Sequence, residues 1–149
     1  MKSLIKISAL VLFLTSIFAF APEQSETYSL TVKVKDLRNS KGEVLFSIYN
    51  KDKTIPDEDL DMYHLQKKGT IKNGESTVTF YNLPKGTYAV NIVHDEDKDG
   101  EIDKGWFLPI EGVGFSNFKS INLANRPNFK KASFVLDTHT TKEIKIIYM

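Results

Sequence analysis

Leu30, Val32 and Val34 alternate with Thr31, Lys33 and Lys35, the period of two that sends successive side chains to opposite faces of a strand. A turn at Asn39-Ser40-Lys41-Gly42 leads into a second apolar run, Val44 to Tyr49. Val78 and Phe80 alternate with Thr77 and Thr79 in a third strand. Leu83-Pro84-Lys85-Gly86 predicts a turn into a fourth, Tyr88 to Val93. Ala132 to Leu136 and Glu143 to Tyr148 read as two more, and Trp106 to Ile110 as a further one. About seven short strands separated by Gly and Pro turns predict an all-β fold, an antiparallel β-sandwich. One short helix is expected between Pro56 and Gly69. Proline and acids open that stretch and Lys67, Lys68 and Gly69 close it, which suits the helix dipole and its caps.

The first residues follow a different pattern. Lys2 and Lys6 precede an apolar run from Ile7 to Phe20 that ends in Ala19-Phe20-Ala21. A positive start, a short apolar stretch and an A-x-A end predict a secretory signal peptide over residues 1–21. Pro22 is a poor residue just after a cut, so cleavage after Ala19, cleavage after Ala21 and retention as an anchor are all open. Residues 22–27 read as a polar leader and 28–149 as a single domain. No second long apolar run follows, so the mature chain is expected to lack a membrane span. An exported address, periplasmic or extracellular, follows from the signal.

Composition narrows the chemistry. The chain of 149 residues has no cysteine, which excludes disulfide scaffolds, zinc ribbons, iron–sulfur sites and thiol catalysis. Its 20 basic and 19 acidic residues leave a formal charge of +1, so a nucleic-acid partner is not expected. Residues 1–21 hold two lysines and no acid, and their removal turns that charge into −1.

The near-neutral total hides one cluster. Residues 95 to 103 read D-E-D-K-D-G-E-I-D, six acids against Lys98. Asp95, Asp97 and Asp99 occupy alternate positions, Gly100 stands sixth, Glu101 seventh and Asp103 ninth. Calcium loops use this spacing because alternating carboxylates in a tight curl converge on one point. Glycine permits the sharp turn and the seventh residue turns its carbonyl inward. Asp95, Asp97, Asp99 and Asp103 are therefore expected to ligate calcium through carboxylates, and Glu101 through its carbonyl. Position twelve is Trp106 rather than the bidentate glutamate of an EF-hand, and the loop leaves a strand rather than a helix. The last ligand then has to come from elsewhere, with Glu111 as a candidate. Without an ion, the same residues make a solvated acidic turn.

Other motifs say less. His94 adjoins the loop, but no spacing with Ser116 or Asp103 makes a catalytic triad. His64 and His139 are isolated, and Gly112-Val113-Gly114 is a lone G-x-G with no phosphate-loop context. Trp106, Phe107, Phe115 and Phe118 form either an aromatic platform for a sugar or peptide or, the favoured reading, a plug buried at the sandwich end. Asn122 to Lys131 is polar and basic and reads as an exposed face.

Lys41-Gly42, Leu83-Pro84-Lys85-Gly86-Thr87-Tyr88, His94-Asp95-Glu96-Asp97, Asp99-Gly100 with Asp103, and Pro109-Ile110-Glu111-Gly112 with Gly114-Phe115-Ser116-Asn117 follow in order. This series resembles the bacterial family called domain of unknown function 2141, over nearly the whole mature chain. The resemblance implies a small exported protein and carries over no catalytic residue. The G-x-Y strand entry at Gly86 to Tyr88 is also similar to immunoglobulin-like and transthyretin-like modules at the level of fold. Taken together, the residues point to an exported, non-enzymatic β-sandwich, stabilised by calcium, that serves as a binding or structural module of the cell envelope. An envelope glycan or protein is its expected partner. The alternatives are an envelope hydrolase using His94 and a carrier holding a small apolar ligand between its sheets.

Overall fold

The computed structural model describes residues 26–103 and 110–149. The expected signal, most of the leader, and Trp106 to Pro109 of the last expected strand lie outside the described residues. Among those described, the chain runs β1 (Thr27–Lys35), β2 (Glu43–Tyr49), β3 (Leu65–Gly69), β4 (Ser76–Pro84), β5 (Gly86–Asp95), β6 (Gly112–Phe115), α1 (Phe129–Ala132), β7 (Phe134–Leu136) and β8 (Thr140–Lys145). One sheet has the order β4-β1-β8, and a larger one the order β3-β2-β5-β6 with β7 added to β5. The ladders are antiparallel except for β1 with β8, which is parallel. No hairpin joins those two strands, so nothing forces them to run in opposite directions. The expected all-β sandwich is therefore present, with one parallel pair in otherwise antiparallel sheets.

Leu30, Val32 and Val34 of β1 are fully buried while Lys33 and Lys35 are exposed, as period two requires. Between the sheets these side chains meet Val44, Phe46 and Ile48 of β2, Val90 and Ile92 of β5, and Ile144 of β8. The alternate residues of β2 and β5 face the other way. Leu45, Tyr49, Ala89 and Val93 join a second cluster with Ile55, Leu60, Phe115, Phe118 and Phe129. Strands covered on both faces are apolar at most positions, which is why Val44 to Tyr49 reads as a run interrupted only by Ser47. Phe115 and Phe118 lie within this second cluster, edge to face at 6.1 Å. The described half of the aromatic segment is thus a buried plug.

Two expectations about elements need correction. Residues 56–64 are irregular rather than helical, and Leu65–Gly69 pairs with β2 as an edge strand. A short isolated helix is marginal in water, and the ladder with β2 supplies backbone partners that a surface helix would leave to itself. Asp57, instead of capping a helix, is buried and accepts from the Tyr49 hydroxyl and the N–H groups of Asp61 and Met62. Leu60 between them takes a left-handed φ of 50°, which ends any helical path. Second, the helix sits at Phe129–Ala132, in the segment read as an exposed polar face. Asn128 caps it by accepting from Lys131 N–H at 3.0 Å, and Phe129 and Ala132 are buried. The expected turn at Leu83 to Gly86 is present and forms a corner between sheets, since β4 and β5 belong to different sheets. Tyr88 braces it by donating its hydroxyl to the Pro84 carbonyl at 3.0 Å.

The last strand begins at Thr140, earlier than Glu143, and Ile147 makes an isolated bridge to Val113 of β6. That bridge brings the two sheets together at one end. It needs Gly114, where an added Cβ would lie 2.5 Å from the Lys145 carbonyl oxygen and 2.9 Å from Ile92 Cγ1. Among the described residues no helix is long and apolar enough to cross a membrane.

Candidate metal centre

Asp95 is the last residue of β5, held in register with Glu43 of β2 and fully buried. Its Oδ1 accepts from Lys98 N–H at 2.7 Å and its Oδ2 from Gly100 N–H at 3.1 Å. Asp97 accepts from Asp99 N–H at 3.2 Å, and Asp99 from Glu101 N–H at 2.8 Å. A short carboxylate that accepts a backbone N–H a few residues on forces a local turn, and three in succession curl the chain. Gly100, with φ of 81°, occupies the left-handed region that glycine enters without steric cost. The outcome is convergence. One carboxylate oxygen of each of Asp95, Asp97 and Asp99 lies within 4.8 Å of the others.

The remaining expected ligands are placed differently. Asp103 is not among the three that converge, and Glu101 enters the loop's hydrogen bonding through its N–H to Asp99. Glu111, the candidate for a last ligand, is buried and straps the loop at both ends. Its Oε1 accepts from Glu96 N–H at 2.7 Å and its Oε2 from Asp103 N–H at 3.3 Å. The Ile110 N–H to Asp103 carbonyl bond, 2.8 Å, closes the same base.

Charge accumulates here. Burial pushes the Asp95 carboxyl above its ordinary value, the Lys98 and Gly100 N–H groups oppose that, and the Asp99 and Asp97 carboxylates reinforce it. Burial likewise raises Glu111, against the two N–H groups it accepts from, and Asp95 and Asp103 add to the rise. Glu58 and Asp59 face Glu101 and Asp103 across one cleft, which extends the acidic surface. Glu96 is the exception. Burial would raise it, but hydrogen bonds from Asn39 and Arg38 and the Arg38 charge outweigh burial and hold it below its ordinary value.

His94 is fully buried with both ring nitrogens engaged. Nε2 lies 3.0 Å from the Lys41 carbonyl oxygen, which only accepts, and Nδ1 lies 2.7 Å from the Tyr148 hydroxyl. The Arg38 guanidinium in turn sits 4.7 Å above the Tyr148 ring. Ser116 is occupied elsewhere, accepting from Val90 N–H at 2.9 Å and donating to the Ala132 carbonyl at 2.6 Å. The two residues have separate partners, and no nucleophile–base pair forms between them. The link of Arg38 and Tyr148 to His94 was not legible in the sequence, because 110 residues separate Arg38 from Tyr148 and no local pattern links positions so far apart.

A family model matches residues 32–145. The chain belongs to the family DUF2141, described as an uncharacterized protein conserved in bacteria. The match opens inside β1 and closes on the last residue of β8, so it spans both sheets and the acidic loop. No curated protein and no solved structure matches the chain. In this DUF2141 chain the Glu111 to Asn117 motif has legible structural work. Glu111 straps the loop, Gly114 lets β6 approach β8, and Phe115 fills the second cluster. Ser116 and Asn117 hold the helix end, Asn117 by donating to the carbonyls of Ala132 and Ser133 at 3.1 and 2.9 Å.

Proposed function

We propose that this chain is an exported β-sandwich module of the bacterial cell envelope whose acidic loop binds calcium. The observation that carries this reading is the convergence of Asp95, Asp97 and Asp99 within 4.8 Å. Two oxygens that share a calcium ion at about 2.3–2.6 Å each are at most about 5 Å apart, so the loop's spacing suits one ion. The three carboxylates keep lone pairs beyond those given to backbone N–H groups. The Glu101 carbonyl, Asp103 and water would complete the coordination. Calcium fits better than magnesium, which keeps more of its waters and demands a stricter octahedron. The cation would offset the mutual repulsion of the acids and fix a loop already strapped by Glu111.

The export reading is supported by the positively charged, apolar and A-x-A pattern of residues 1–21. Fractionation with amino-terminal sequencing of the mature protein tests it. For the ion, calorimetry should give one calcium per chain. At a hundredfold excess over Kd, calcium should add about 2.7 kcal/mol of stability and raise Tm by about 8 °C. Asp97→Ala with Asp99→Ala should abolish both effects while the apo protein keeps its fold. Equal melting of the wild type in calcium and in chelator would refute the calcium reading.

A further inference from the structure

Among the described residues the two sheets are joined at one edge by the bridge between Val113 and Ile147. Val113 N–H donates to the Ile147 carbonyl at 2.9 Å, and Ile147 N–H returns the bond to Val113 at 2.8 Å. Gly114, the next residue of β6, still abuts the Lys145 carbonyl oxygen, and only past it do the two segments diverge. Phe115 leads into a turn whose Ser116 and Asn117 are tied to β5 and α1, while β8 stays with β1. The space between is a cleft of about 500 Å³, with Asn117 to Lys119 on one wall and Lys142 to Ile146 on the other. Among the described residues β8 carries a ladder on one side only, the side facing β1. An unpaired strand edge presents a row of N–H and C=O groups for another strand.

The chemistry of the cleft is equally specific. Phe115, Phe118, Ile144 and Ile146 lie at its floor. Lys119, Lys142 and Lys145 stand at its rim against Asp36, while Glu143 is already paired with Lys35 at 3.0 Å. Lys142 occupies an inward-facing position of β8, with its ammonium 4.5 Å from the Phe134 ring centroid. That placement holds the ammonium of a half-buried lysine against the Phe134 ring.

We propose that this cleft binds an extended acidic peptide segment as an added strand beside β8. A strand sends alternate side chains to opposite sides. A segment that alternates acidic and apolar residues would set its apolar side chains on the aromatic and isoleucine floor and its carboxylates against the lysines. Its backbone would continue the ladder that Val113 and Ile147 begin. Strand addition of this kind draws affinity from main-chain hydrogen bonds and specificity from alternate side chains. The site is separate from the acidic loop and does not depend on calcium.

The test uses the full chain with calcium chelated and a labelled Asp-Val-Asp-Val-Asp-Val peptide, read by fluorescence anisotropy. Saturable binding is expected, with slowed amide exchange over residues 140–146. Lys119→Glu with Lys145→Glu, both at exposed positions, should weaken it by about tenfold or more. N-methylation of alternate peptide amides should abolish it, and a Lys-Val peptide of equal length should not bind. Absence of binding at millimolar peptide would overturn the proposal. So would equal affinity for the N-methylated peptide or for dextran sulfate, since either result would mean charge attraction without a strand.

Discussion

Tyr49 and Asp57 meet in the cluster on the outer face of the larger sheet, where the phenol donates to Asp57 Oδ2 at 3.0 Å. Burial, and then the Asp57 charge, raise the Tyr49 phenol well above its ordinary value of 10.0. Burial also raises Tyr88 and Tyr148. The folded chain thus keeps protons that the unfolded chain releases near pH 10. The stability they supply is complete below that pH and is lost as pH rises toward the folded values. Urea unfolding should show a plateau through neutral pH and a decline above about pH 10. Tyr49→Phe should make that decline shallower by up to about 1.4 kcal/mol per pH unit. The same change should cost about 1–3 kcal/mol at neutral pH, because Asp57 then loses a donor in a buried place. None of this was visible at the residue level of the sequence, where Asp57 looked like the first acid of a short helix. Its burial depends on Tyr49, from another element.

Among the elements, those whose burial is one-sided or continuous were the legible ones. β1 announces itself by alternation and β2 by an apolar run, because burial imposes those patterns directly. β3 was not legible. Leu65-Gln66-Lys67-Lys68-Gly69 has neither pattern, since an edge strand with little buried surface is chosen by the ladder to β2 rather than by its own side chains. β6 was hidden for a related reason, its Gly112 and Gly114 being selected for approach to β8 rather than for strand propensity. Gly114→Ala should therefore be destabilising by about 1–3 kcal/mol, since its new methyl has to displace the Lys145 carbonyl or the Ile92 side chain. Urea titration with an unchanged m-value would register that cost as strain rather than a change of fold. A stability equal to that of the wild type would mean that the β6–β8 approach is loose.

On the scale of the whole molecule, burial is greatest where β2 and β5 lie between the inter-sheet core and the second cluster. Amide exchange should consequently be slowest in β2 and β5, and fast in residues 50–54 and 122–127, which are largely exposed. Uniform protection across both sheets and loops would contradict that gradient. The amino-acid sequence by itself determined the all-β class, the strands with a strong burial pattern and the acidic loop, because period, turn residues and Asp spacing act over a few residues. Only the tertiary structure decided that β1 and β8 run parallel and that Glu111 straps the loop rather than joining the converging acids. It alone decided that the helix forms at Phe129, and that His94 is locked between Lys41 and Tyr148. Those outcomes depend on groups brought together from distant positions, and their energies exist only once the sheets have closed on one another.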